Sequence, residues 1–76
     1  MRAKLQIEYI TTRTGSETLK FHAVAKPQYP GDGADEDNTY ARFSPSASLE
    51  ITITNPALLG RFRPGQKFYV EFTEAE

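Results

Sequence analysis

The stretch Ala47-Ser48-Leu49-Glu50-Ile51-Thr52-Ile53-Thr54 alternates apolar and polar side chains without interruption. In an extended chain, successive side chains point to opposite faces. Leu49, Ile51 and Ile53 therefore share one face, and the intervening polar residues share the other. This period of two is typical of a β-strand that is buried on one side.

The N-terminal part of the chain repeats this pattern twice. From Lys4 to Thr12, the side chains of Leu5, Ile7 and Tyr9 fall on one face. A polar break over residues 12–16 contains Gly15, and a second alternating run follows from Leu19 to Lys26. Two such runs joined by a short glycine-containing break predict an antiparallel hairpin.

The remaining segments predict short elements and turns. Asn55-Pro56 is a suitable start for a single helical turn over residues 56–60, which Gly60 would end. Pro64-Gly65 fits the centre of a type II turn that leads into a strand from Lys67 to Thr73. Residues 40–43 predict either a short strand or an ordered loop.

Together these elements predict an all-β fold over residues 1–76, a small antiparallel meander of four or five strands that forms an open barrel or a curled sheet. Ile10, Val24 and Tyr69 would lie on the other face of a single sheet, so we expect closure into a barrel or pairing with another subunit. The predicted core is Leu5, Ile7, Phe21, Leu49, Ile51, Ile53, Leu58, Phe68, Val70 and Phe72.

Residues 27–39 differ in composition from the rest of the chain. They contain prolines, glycines and a group of acidic residues, namely Asp32, Asp35, Glu36 and Asp37. Such a composition offers little to pack, so it predicts an exposed, mobile acidic loop. The spacing of the acids departs from that of a calcium-binding loop, and we favour a solvated loop over a metal site.

Composition excludes several classes of protein. The chain has 76 residues, no cysteine and a formal net charge of -1. It is short enough for one domain only, and neither disulfides nor thiolate metal sites can support its core. The charge argues against binding to duplex DNA or to an anionic membrane. Stability must come from packing or from assembly with other chains.

The sequence contains no recognisable catalytic constellation. His22 is the only histidine and lies on the polar side of a predicted strand, where we interpret it as an ordinary surface residue. Gly31 and Gly33 precede acidic residues that would repel a phosphate. We therefore expect a protein that is not an enzyme and that uses neither a cofactor nor a metal.

Two groups of residues are candidates for binding. Arg61 and Arg63 flank Phe62, an arrangement that can hold a nucleotide, but we favour the interpretation that Phe62 fixes the neighbouring turn to the core and that the arginines are solvent-facing neighbours. The tyrosines offer contact area to a partner, or they cover the ends of a thin barrel. The candidate ligand or partner residues are Arg42, Arg61, Arg63, Lys67, Tyr69 and Tyr40.

Residues Phe43–Ala57, followed by Phe62, Gly65 and Phe68–Thr73, resemble a group of small, mostly uncharacterised bacteriophage proteins. Residues Met1–Lys4 are similar to the start of the same proteins, and the resemblance fails between Lys26 and Thr39. It implies a phage origin but carries no catalytic motif.

This resemblance and the composition lead to two functional hypotheses. The first is a virion accessory protein, for example a capsid-decoration or head–tail component, that forms homo-oligomers or binds viral structural proteins. The alternative is an intracellular phage protein that sequesters a nucleotide signal or inhibits a host factor. Both place the protein in the host bacterial cytoplasm, and the first also places it in the virion. Neither involves a membrane.

Overall fold

The computed structural model describes residues 1–29 and 31–76 and contains one antiparallel β-sheet. Its strands are β1 (Arg2–Arg13), β2 (Ser16–Ala23), β3 (Ser48–Ile53) and β4 (Lys67–Glu71). The spatial order is β3-β2-β1-β4, so β4 returns to the free side of β1. The prediction of a small antiparallel all-β fold is confirmed, and the sheet is open rather than closed into a barrel.

The predicted hairpin is formed by β1 and β2, and it contains a β-bulge that the sequence did not indicate. Ile7 lies opposite Phe21, but Tyr9 lies opposite Lys20, so Glu8 is an extra residue on β1. An extra residue reverses the side-chain alternation beyond it. Tyr9 is consequently exposed, contrary to its predicted place beside Ile7, and Ile10 turns to the core face.

The core lies on one face of the two central strands. Its buried apolar residues are Ala3, Leu5, Ile7, Leu19 and Phe21. Leu49, Ile53 and Val70 pack against them and are partly buried, as the sequence predicted. The prediction was wrong for Ile51, Leu58, Phe68 and Phe72, which are 36–56% exposed. Ile51 and Phe68 belong to the outer strands, where a neighbouring strand lies on only one side of each residue.

Residues 27–39, predicted to be an exposed and mobile acidic loop, lie in the connection between β2 and β3, residues 24–47. Most of those described are exposed, but the segment is anchored to the sheet. Asp35 and Asn38 are buried, with 4% and 0% of their surface exposed. Asn38 Oδ1 accepts a hydrogen bond from Lys4 N at 2.9 Å, and its Nδ2 donates to Val24 O at 2.9 Å. The segment thus provides hydrogen bonds to the part of β1 that β2 is too short to pair with. Pro30 lies outside the described residues.

Residues 40–43 form a turn followed by a bend rather than the short strand considered above. Ala41 N donates to Asn38 O at 2.9 Å, which makes this part of the connection an ordered loop. The ring of Phe43 lies over Gly33, where a Cβ atom would be 2.5 Å from Phe43 Cζ. Gly33 also has a φ of 75°, so a residue with a side chain is disfavoured there for two reasons.

The connection between β3 and β4, residues 54–66, consists of turns. Asn55 Oδ1 accepts a hydrogen bond from Ala57 N at 3.0 Å, as expected of a capping residue, but residues 56–60 form consecutive turns instead of a helical turn. Gln66 N donates to Arg63 O at 3.3 Å and Gly65 has a φ of 93°, which agrees with the predicted type II turn.

Candidate assembly surface

The molecule is flat, with extents of 48 × 34 × 15 Å along its principal axes. Its radius of gyration is 14.4 Å, whereas a compact domain of this length has a value of about 11 Å. The shortest extent leaves room for one sheet and one layer of connecting chain. Over the described residues, the sheet is therefore not covered by a second layer of helices or strands.

Three of the exposed apolar residues lie at the margins of the core face. Ile51 on β3 is 42% exposed, while Phe68 on β4 and Phe72 just beyond it are 36% and 56% exposed. The register places Ile51 opposite buried Leu19 and Phe68 opposite buried Leu5, so all belong to the same face. We call the exposed residues Ile51, Phe68 and Phe72 the apolar margin.

The centre of this face is covered by the connection over residues 54–66. The ring of Phe62 packs on that of Phe68 with centroids 5.9 Å apart, and Phe68 meets Phe21 edge to face at 6.2 Å. Phe62 thus fixes its turn to the core, which is the structural one of the two interpretations offered for it. Gly60 N also donates to the buried carboxylate of Glu17.

A shallow apolar cavity of about 180 Å³ continues the apolar margin towards the N-terminus. It is lined by Met1, Ala3, Leu49 and Phe72 and, from the connection over residues 24–47, by Tyr40, Ser46 and Ala47. None of its lining side chains carries a charge. The cavity therefore suits an apolar side chain of a partner rather than a phosphate.

Tyr40 and Arg42 lie together at one end of the sheet, in a groove that also contains Asp35 and Glu36. Arg42 Nε donates to Asp32 O at 3.1 Å. Burial raises the pKa of Tyr40, and the charge of Asp35 adds to this effect. The buried Tyr40 hydroxyl has no hydrogen-bond partner among the described residues. Two acidic side chains beside Arg42 make this groove unfavourable for an anion.

Arg61 and Arg63 lie at the opposite connection and bind its backbone. Arg61 Nε donates to Ala57 O at 2.6 Å, and Arg63 Nη1 donates to Gly60 O at 2.7 Å and to Phe62 O at 3.0 Å. Both guanidinium groups thereby satisfy carbonyls that the turns leave free. They do not join Arg42 or Tyr69, so the candidate cations do not form one binding site.

Tyr69 lies on the polar face of β4 and is part of a cluster that joins three segments. Its hydroxyl donates to Asp37 Oδ1 at 2.9 Å, and the guanidinium carbon of Arg2 lies 4.7 Å from its ring centroid. Lys4 Nζ lies 3.4 Å from Asp37 Oδ2. The Tyr69 hydrogen bond, aided by Lys4, lowers the pKa of Asp37 despite an opposing effect of burial. Lys67 occupies the same strand face, opposite Gln6.

The residues that sequence reasoning missed are Asp35 and Asn38. Asp35 Oδ1 accepts hydrogen bonds from the backbone of Asp37 at 3.0 Å and of Asn38 at 3.1 Å, and Lys26 Nζ lies 3.6 Å away. Asp and Asn often bind nearby backbone groups in this way. An Asp followed two and three residues later by Asp37 and Asn38 was therefore the signal in the sequence that could have indicated an ordered turn. His22, in contrast, is exposed, as interpreted from the sequence.

Comparison with known proteins finds no matching family model, no matching curated protein and no matching solved structure. In residues 1–29 and 31–76, no helix has the length and apolarity needed to cross a membrane. The same residues contain no group of His, Cys, Asp or Glu side chains placed to hold a metal ion.

Proposed function

We propose that the protein is a non-catalytic assembly module that binds other protein chains through its open sheet. In line with the resemblance to phage proteins, we propose that it serves as an accessory component of a virion, in capsid decoration or at the head–tail junction. The observation that carries the proposal is the apolar margin, Ile51, Phe68 and Phe72, on the outer strands of a flat, single sheet.

The accessible surface of the chain is larger than that of a typical folded monomer, which supports binding to a partner. The chain exposes 5466 Å², whereas a folded monomer of this mass exposes about 4,700 Å². The surplus is about 800 Å², which is the area that one partner contributes to an interface of standard size. Burial of the apolar margin together with the surface around it against another chain would bring the exposed surface into the usual range.

The alternative, a protein that sequesters a nucleotide signal, receives less support from the geometry. Arg42, Arg61 and Arg63 donate to backbone carbonyls in two separate connections. A nucleotide site needs cations that converge on one phosphate. The shallow cavity beside the apolar margin is lined by uncharged side chains and fits a protein side chain better.

Quantitative mass spectrometry of purified virions tests the proposal. We expect the chain to be present at a fixed copy number in virions of the phage that encodes it. Ile51→Lys should reduce incorporation, because it places a charge in the apolar margin. Tyr9→Lys is the matched control, since Tyr9 is 51% exposed and lies outside the core face. Absence of the wild-type chain from virions would overturn the virion role.

A further inference from the structure

We propose that two copies of the chain pair through their β4 strands, antiparallel and about a twofold axis that passes beside Tyr69. The pairing joins the two sheets into one continuous sheet. This inference rests on the proposed function, because it names a second copy of the chain as one partner of the assembly module and assigns the surface by which that copy is bound.

The backbone of β4 leaves one side free for such a pairing. Phe72 N donates to Met1 O at 3.0 Å, and the register continues regularly from Arg2–Glu71 to Gln6–Lys67. In an antiparallel ladder, alternate residues direct their N–H and C=O groups to the same neighbour. Phe68, Val70 and Phe72 therefore face β1, and Lys67, Tyr69 and Glu71 direct their backbone groups to the open edge.

The edge carries little that would block a second strand. Natural sheets protect their edges with prolines, bulges, short strands or charged side chains, especially lysine, that meet no opposite charge. Residues 67–71 contain no proline, and their pairing with β1 has no bulge. The Tyr69 side chain contacts Arg2 and Asp37 on the side of β1, so it leaves the outer edge open.

The side chains of β4 select one register. When Tyr69 lies opposite its own copy, Lys67 of each chain lies opposite Glu71 of the other. Both residues of each pair direct their backbone groups to the shared edge, so the hydrogen-bond ladder is complete. The two opposite charges meet twice because the axis is twofold. The strand is thus complementary to itself in backbone and in charge.

The same register covers part of the apolar margin. On the core face, Phe68 lies opposite Val70 of the second copy, as a pair whose backbone groups point away from the shared edge. Such pairs bring side chains close together. Phe72 lies diagonal to Phe68 of the second copy, within reach of an aromatic ring. Phe68 and Phe72 are 36% and 56% exposed in one chain. The pairing would bury part of this exposed surface in both copies.

The other edge strand lacks this complementarity. The polar side chains of β3 are Ser48, Glu50 and Thr52, and the strand contains no cation. No register of β3 against itself can therefore pair opposite charges. We assign the pairing to β4 for this reason.

Native mass spectrometry with light scattering tests the assignment on the full chain. We expect the wild-type protein to be a dimer. Lys67→Glu and Glu71→Lys should each weaken dimerisation, by about tenfold or more, because each variant creates two like-charge contacts. A one-to-one mixture of the variants should form heterodimers with near wild-type affinity, since opposite charges then meet at both contacts.

Two controls separate this effect from damage to the fold. Lys67 lies opposite neutral Gln6 within the chain, so thermal unfolding of Lys67→Glu measured at monomer concentrations should be unchanged. Glu71 lies opposite Arg2, and the heterodimer formed by Glu71→Lys shows directly that this variant is folded. Glu50→Lys reverses a charge on the other edge strand and should leave the dimer intact.

A monomeric wild-type protein would overturn the pairing, and so would a dimer that Lys67→Glu and Glu71→Lys leave unaffected. Disruption by Glu50→Lys alone would assign the contact to β3 instead. These outcomes are independent of the virion measurement. A monomer found in virions overturns only the β4 pairing, and a charge-dependent dimer absent from virions overturns only the proposed virion role.

Discussion

The hydroxyl of Tyr69 donates a hydrogen bond to Asp37 Oδ1 at 2.9 Å, which joins the outer strand β4 to the long connection between β2 and β3. These residues are far apart in the chain, and Lys4 of β1 lies between them, 3.4 Å from Asp37 Oδ2. The contact therefore links segments that no local turn could hold together. It explains why an acidic segment remains ordered against the sheet.

Tyr69→Phe removes this hydrogen bond and keeps the ring beneath Arg2. We expect the free energy of unfolding to fall by about 1 kcal/mol, the usual value for a single hydrogen bond to a partly exposed group. Urea denaturation measures the change. Tyr9→Phe is the control, because Tyr9 is an equally exposed tyrosine of the same sheet, and it should have almost no effect. Equal effects of both substitutions would show that the Asp37 contact contributes nothing.

The stability that Asp37 provides should depend on pH. The Tyr69 hydrogen bond and Lys4 hold the pKa of Asp37 below its ordinary value of 3.8. A lowered folded-state pKa means that the contribution is complete above about pH 5 and is lost as the pH falls through the folded-state value. The difference in unfolding free energy between the wild-type protein and Asp37→Asn should therefore shrink between pH 5 and about pH 3.

Urea denaturation at a series of pH values measures that difference. Asp32→Asn serves as the control, because Asp32 is an exposed acid of the same segment whose carboxylate forms no ion pair within the described residues. Its difference from the wild-type protein should stay small and nearly constant. A constant difference for Asp37→Asn over the same range would contradict the lowered pKa.

Asn38→Ala should be among the most damaging single substitutions in the chain. Asn38 is fully buried, and its side chain satisfies Lys4 N and Val24 O. The substitution leaves both groups without a partner at the end of β2, for a loss of about 3 kcal/mol. Glu36→Ala, an exposed neighbour, should cost less than about 0.5 kcal/mol.

Hydrogen exchange of the Lys4 amide gives a second measurement. Exchange should accelerate strongly in Asn38→Ala and remain slow in Glu36→Ala. A Lys4 amide that stays protected after loss of the Asn38 side chain would show that another group, such as a bound water, takes over this hydrogen bond.

The strands and their faces could be predicted from the sequence because alternation records which side of a strand meets the core. Leu49, Ile53 and Val70 were assigned correctly on this basis. Alternation does not record whether anything covers a given part of that face. Ile51 has the same pattern as its neighbours, yet it is exposed because β3 is an edge strand and the connections leave its position open.

The anchoring of the acidic segment, residues 27–39, could not be predicted for a different reason. Composition measures the average tendency of a segment to be solvated. One buried Asn can still anchor a segment if unpaired backbone groups of the sheet are within hydrogen-bonding distance of it. Lys4 N and Val24 O are such groups, because β2 ends before it covers the whole of β1. Their availability depends on strand lengths in the folded sheet. It could not be inferred from residues 27–39 themselves.

Deletion of Glu8 should remove the bulge from β1 without changing the core. Ile7 and Tyr9 lie opposite the consecutive residues Phe21 and Lys20, so Glu8 has no partner on β2. Deletion of Glu8 should restore a regular ladder while every other side chain keeps its face. We expect the free energy of unfolding to change by less than about 1 kcal/mol, because the bulge contributes only local twist.

Deletion of Gln6 is the matched control, since it removes a regularly paired residue from the same strand. It forces either Leu5 or Ile7 out of the core, at a cost of about 2–5 kcal/mol, because both are buried. Urea denaturation of the two deletion variants gives the comparison, and NMR contacts between Tyr9 and Lys20 report the register. Equal destabilisation would mean that the bend at Glu8 is itself required for the connections to close over the core.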